Sequence, residues 1–189
     1  MGPASRPLPV FSLMTVEVAL QELNLDADAG TVVELQDLTV NDLLDLARYG
    51  DLDDLNLILG VCEGKKMIES CVDERHTSMV HMAAANGHVQ VLKLLLGLPD
   101  VLGKMLNLQN LEGNTPLHWA TLNSQVEAVR YLLDQGASLE TVNGAGRTAW
   151  DEAVNRELFT VTAAILEFLE QRSKSETAGS EELLEDNEQ

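Results

Sequence analysis

HMAAANGHVQVLKLLL at 81–96 and HWATLNSQVEAVRYLL at 118–133 are near copies of one another. Aligned, His81 falls on His118, Ala83 on Ala120, Asn86 on Asn123, Val89 on Val126, and Leu95–Leu96 on Leu132–Leu133. Self-similarity at a fixed spacing signals stacked supersecondary units, because one such unit cannot bury its apolar face alone. Stacked units also bias function. They offer an extended concave surface to a partner rather than an enclosed pocket for chemistry.

Outward from this pair, one unit runs from about Asp73 to Leu98, the next from Asn110 to Leu139, and another from Asn143 to Leu169. The first step, Asp73 to Asn110, is 37 residues and the second, Asn110 to Asn143, is 33. The surplus falls in GLPDVLGKMLNLQ, where Pro99 and Gly103 predict a longer connection between units. Upstream, LTVNDLLDLARYGDLDDLNLILG at 38–60 predicts helix, turn, helix. Asn41 or Asp42 lies near the first N-terminus, Gly50 ends that helix, and Asp51 or Asp53 opens the second. Residues 1–37 show no clean helical period and read as a flexible acidic arm, although Val16, Leu20 and Leu23 share a face within a candidate helix from Met14 to Leu23. Residues 171–189 turn to Ser, Lys, Glu and Gly, which predicts a disordered acidic tail.

The chain has 189 residues and a net charge of −19. Direct nucleic-acid binding is not expected, because phosphate contacts need a basic footprint. A basic partner is. The apolar run Val91–Leu98 is broken by Lys93 and too short to span a bilayer. The first residues lack a charged n-region with a sustained apolar h-region, so no secretory signal is expected. Cys62 and Cys71 form no CxxC pair and read as reduced thiols. No GxSxG, HExxH or phosphate-loop motif occurs. No carboxylate or cysteine cluster stands at ligand spacing from His81, His88 or His118. The expectation is a non-enzyme with no cofactor and no metal.

Thr115-Pro116-Leu117-His118-Trp119-Ala120, with Gly113 before it and Gly136-Ala137 after it, resembles the TPLHxA signature of the ankyrin-repeat family. Val80-His81-Met82-Ala83-Ala84 matches in the preceding unit, with Ser78-Met79 for Thr-Pro and His76 for a glycine, which predicts a distorted finger there. The last unit keeps Gly146 and Thr148 but has Ala149-Trp150-Asp151 for Pro-Leu-His, and the first keeps only its helix pair. The resemblance implies an all-α solenoid of about four ankyrin repeats over residues 38–170, in which the motif histidines hydrogen-bond backbone and tie neighbouring units together. Trp150, at a leucine position, is expected in the core.

A narrower resemblance runs from Leu44 to Leu133. LARYGDLDDL, HMAAANGH, the insertion and GNTPLHWATLN are similar to the fungal ankyrin-repeat chaperones of the third small-subunit ribosomal protein. It implies a dedicated chaperone that keeps a basic ribosomal client soluble for nuclear import and subunit assembly. The chain would then work in cytoplasm and nucleus as a monomer forming a hetero-complex. A regulatory adaptor that masks a basic segment of a signalling or transcription protein is the other reading. Family geometry places partner contacts on finger tips and on the exposed edge of each first helix. Here those are Glu74, Arg75, Thr77, Met82, Ala85 and Asn86, then Leu111, Glu112, Asn114, Trp119, Leu122 and Asn123, then Ala145, Arg147, Glu152 and Asn155. Trp119 fits a groove hot spot or the core equally well.

Overall fold

Each first helix begins with a hydroxyl side chain that caps the backbone while the residue three positions on caps it in return. The pairs are Thr39 with Asp42, Ser78 with His81, Thr115 with His118, and Thr148 with Asp151. These boxes satisfy amide donors that would otherwise be orphaned at the helix start. In the computed structural model, which describes residues 39–60, 68 and 70–185, they open four helix pairs stacked in sequence. The units are α1 (Val40–Tyr49) with α2 (Leu52–Leu59), α3 (Met79–Asn86) with α4 (Val89–Leu96), α6 (Pro116–Leu122) with α7 (Val126–Asp134), and α8 (Ala149–Asn155) with α9 (Phe159–Glu185). The first unit therefore keeps more than its helix pair, and α1 starts where its asparagine and aspartate suggest, with Thr39 as the cap and Asp42 in the first turn. The arm at 1–37 and Cys62 lie outside the described residues. No helix among the described residues is long and apolar enough to cross a membrane.

Positive φ recurs at one register in every unit. Gly50 (80°), Gly87 (74°), Ser124 (56°) and Glu157 (55°) follow the first helices, and His76 (58°), Gly113 (76°) and Gly146 (71°) turn the fingers. His76 does not distort its finger. Its amide donates to the Asp73 carbonyl at 2.9 Å, as Gly113 donates to Asn110 at 2.9 Å and Gly146 to Asn143 at 2.8 Å. The side chains of Asp73, Asn110 and Asn143 each accept two amides of their own finger, so the same turn forms around three different sequences.

Val91, Leu92, Leu95 and Leu96 on α4, and Ala128, Val129, Leu132 and Leu133 on α7, are buried as the repeat pattern predicts. Ala83, Ala120 and Ala153 recur where the first helix meets the second, and all are buried. Trp150 is half-buried against this core rather than enclosed. Two segments differ from expectation. GLPDVLGKMLNLQ is not only a connection: Pro99–Met105 forms α5, with Val101 and Met105 buried. Proline at the first position opens a helix there, because that amide needs no intrahelical partner. The tail, expected to lack structure, continues α9 through Glu185. Its Glu, Gln, Lys, Ala and Leu content favours helix once α9 has supplied the nucleus.

Candidate protein-binding groove

The fingers are laced edge to edge by backbone. Leu111 donates its amide to the Arg75 carbonyl at 2.9 Å, and Gly144 donates to Glu112 at 2.8 Å. Histidine side chains also tie neighbouring units together. Nε2 of His81 lies 3.0 Å from the Asn114 carbonyl, Nε2 of His118 lies 3.0 Å from Arg147, and Nε2 of His88 lies 2.8 Å from Arg48. A carbonyl only accepts, so each Nε2 carries the proton. In His81 and His118, Nδ1 is then left to accept from the capping hydroxyls of Ser78 (2.9 Å) and Thr115 (2.8 Å). Burial lowers the His81 pKa to about 4 against a weaker upward pull from its bond to the Asn114 carbonyl, and burial lowers that of His118 as well. The His81 and His118 rings are neutral ties, as the resemblance implies.

Between fingers and first helices of the second and third units lies an open groove of about 560 Å³. Met82, Ala85, Trp119 and Leu122 supply its apolar surface. Arg75, Asn86, Glu112 and Asn123 supply its polar wall; Thr77 and Asn114 also line it but are buried, at 2% and 9% exposure, short of the exposed contacts expected of them. Arg48 and Asp73, which sequence reasoning missed, complete it. Asp73 was visible as a turn residue, but Arg48 belongs to the first unit and reaches the groove only through stacking. Its guanidinium meets the Met82 sulfur at 3.6 Å and Asp45 at 2.7 Å. Arg75 and Glu112 form an ion pair from one finger to the next.

Trp119 serves groove and core together. It is half-buried, lines the groove, and meets the His81 ring edge-on with centroids 5.5 Å apart at 77°. Six expected contact residues lie outside this groove: Glu74, Leu111, Ala145, Arg147, Glu152 and Asn155. Leu111 is a finger tip, 69% exposed. Glu74 and Asn155 are exposed, and Arg147 is half-exposed.

Glu152 corrects the expectation. It is 2% exposed, and its carboxylate accepts from Asn143 at 2.9 Å, Arg147 at 2.8 Å and Arg156 at 3.3 Å. Burial alone would raise its pKa. Hydrogen bonds from Arg147 and Asn143 and the charges of Arg147 and Arg156 outweigh burial and hold it below the usual range. Its register is that of Trp119, but here the position is spent on holding the last finger. Among the described residues no group of three or more His, Cys, Asp and Glu side chains gathers as metal ligands would.

The geometry is matched by comparison. Residues 43–163 match the family model for Ankyrin repeats (3 copies). A chain of the crystal structure of the yeast ribosomal protein Rps3 in complex with its chaperone Yar1 is similar at 30% identity and a TM-score of 0.63, over 72% of this chain and 95% of that one. Protein phosphatase 1 regulatory subunit 12A is 38% identical over 109 residues in Mus musculus and 41% identical over 85 in Rattus norvegicus. Those stretches cover 56% and 43% of this chain but only 9% and 8% of the curated relatives, so the chain spans less than a tenth of their length. The chain belongs to the ankyrin-repeat family and is built as a protein-binding module.

Proposed function

We propose that this chain is a dedicated chaperone for a basic ribosomal protein, the third protein of the small subunit. The observation that carries the reading is the likeness, over 72% of this chain and 95% of the other, to a chain solved within an Rps3–chaperone complex. The net charge of −19 and the apolar groove floor support it. Acidic surface offsets the client's RNA-binding charge, and Met82, Ala85, Trp119 and Leu122 grip an apolar stripe of an amphipathic segment. In this reading the chain is a monomer that forms a hetero-complex, and it accompanies the client from cytoplasm to nucleus.

Affinity purification at low salt with mass spectrometry tests the proposal. A single stoichiometric small-subunit ribosomal protein is the expected result. A phosphatase catalytic subunit, kinase or transcription factor in its place would establish the adaptor reading instead, which the similarity to the phosphatase regulatory subunit favours. Trp119→Ala should weaken client binding by about 2 kcal/mol, measured by calorimetry, while the far-ultraviolet circular dichroism stays that of the parent.

A further inference from the structure

The last unit keeps apolar side chains at the positions through which the other units stack. Leu96 and Leu133 hold equivalent places on α4 and α7 and are 3% and 1% exposed, whereas Leu166 at that place on α9 is 46% exposed. Thr121 on α6 is 0% exposed and its equivalent on α8, Val154, is 48% exposed. Val126 opens α7 half-buried, and Phe159 opens α9 at 75% exposure. Phe159, Ala163, Leu166 and Leu169 are all exposed and recur at helical spacing along one side of α9, a stripe about 15 Å long. A terminal repeat ordinarily turns a polar face outward. An apolar stripe at the end of a stack marks an interaction surface.

Charge decides what covers it. Exposed Glu157 stands in the turn just before the stripe, and exposed Glu170 lies at its far end. The cations nearest in sequence are not free to meet an acidic partner: Arg156 is held by Glu152 at 3.3 Å, and Arg172 and Lys174, past the far end, are themselves engaged. A second copy would bring −19 against −19. Residues 1–37 carry six acids against Arg6 alone, so they too are repelled. We propose that this end face receives an amphipathic helix from another protein, apolar toward α8 and α9 and rich in Lys or Arg outside, which stacks as a fifth unit would. This site lies outside the groove and does not depend on which client the groove takes.

The test uses the full chain and a designed Leu/Lys amphipathic peptide of roughly five turns, about 18 residues, with a Leu/Glu peptide of the same pattern as control. Nuclear magnetic resonance should show shifts centred on Val154, Phe159, Ala163 and Leu166 with the Leu/Lys peptide and none with the Leu/Glu peptide. F159D/L166D should weaken binding by about tenfold or more. E170K should weaken it several-fold without touching the apolar stripe, and W119A should leave it unchanged. Both face variants alter exposed residues, so their thermal unfolding should match the parent. The proposal is overturned if the Leu/Lys peptide fails to bind or maps to the groove. It is overturned equally if the Leu/Glu peptide binds as well, or if sedimentation shows that the free chain dimerises through this face.

Discussion

His81 and His118 show how one residue type closes a helix start and a unit boundary at once. Each ring accepts a capping hydroxyl on Nδ1 and donates from Nε2 to the next finger, which only the neutral form can do. The pH dependence follows. As pH falls, the unfolded chain takes up these protons near the ordinary histidine value of 6.5, while folded His81 stays neutral down to about 4. Stability is therefore complete above that ordinary value and is lost between it and about 4, by up to about 3 kcal/mol for His81. Denaturant midpoints should fall steadily across that window, and a flat profile would contradict the neutral tie. Gly113 carries a different constraint. At φ 76° a side chain is strained, and a Cβ would sit 2.6 Å from the Gly144 amide nitrogen. Gly113→Ala should cost about 2 kcal/mol or more in urea unfolding.

At the scale of elements, the repeat pattern was legible because its residues report backbone needs directly. Thr115 and Pro116 mark a helix start, Gly50 and Gly87 mark left-handed caps, and leucines at 95, 96, 132 and 133 mark the buried side. Ser124 and Glu157 were not legible. Nothing in either residue favours positive φ, yet both adopt it, because the packed helix pairs fix the path between them. Helix α5 was hidden for a similar reason: its proline and glycine signal a loop locally, while Val101 and Met105 have a core to fill. Stacking also sets what one leucine is worth. Leu133→Ala should cost about 2–5 kcal/mol, and Leu166→Ala, at the same register but half exposed, less than about 1 kcal/mol, both read from urea midpoints.

For the whole molecule, charge and topology act together. A chain at −19 should capture a basic partner by long-range steering, so the association rate should fall steeply between about 50 and 500 mM salt in stopped-flow measurements, with dissociation changing less. A salt-indifferent on-rate would remove charge from the mechanism. The groove is likewise a property of the assembly. Arg48, Met82 and Trp119 come from three successive units and meet only because those units stack. Glu152 shows the limit of carrying a surface position from unit to unit: at Trp119's register it is buried and held by two arginines and Asn143.

The sequence by itself determined the helix pairs, the glycine caps at Gly50 and Gly87 and the order in which the pairs stack, because those depend on contacts within a unit and on a pattern that repeats. Only the tertiary structure decided which repeated positions are spent on the stack and which remain free. Burial is set by the surroundings in the stack, so one register is core at Leu133 and open surface at Leu166, and another is groove wall at Trp119 and a sealed ion-pair site at Glu152.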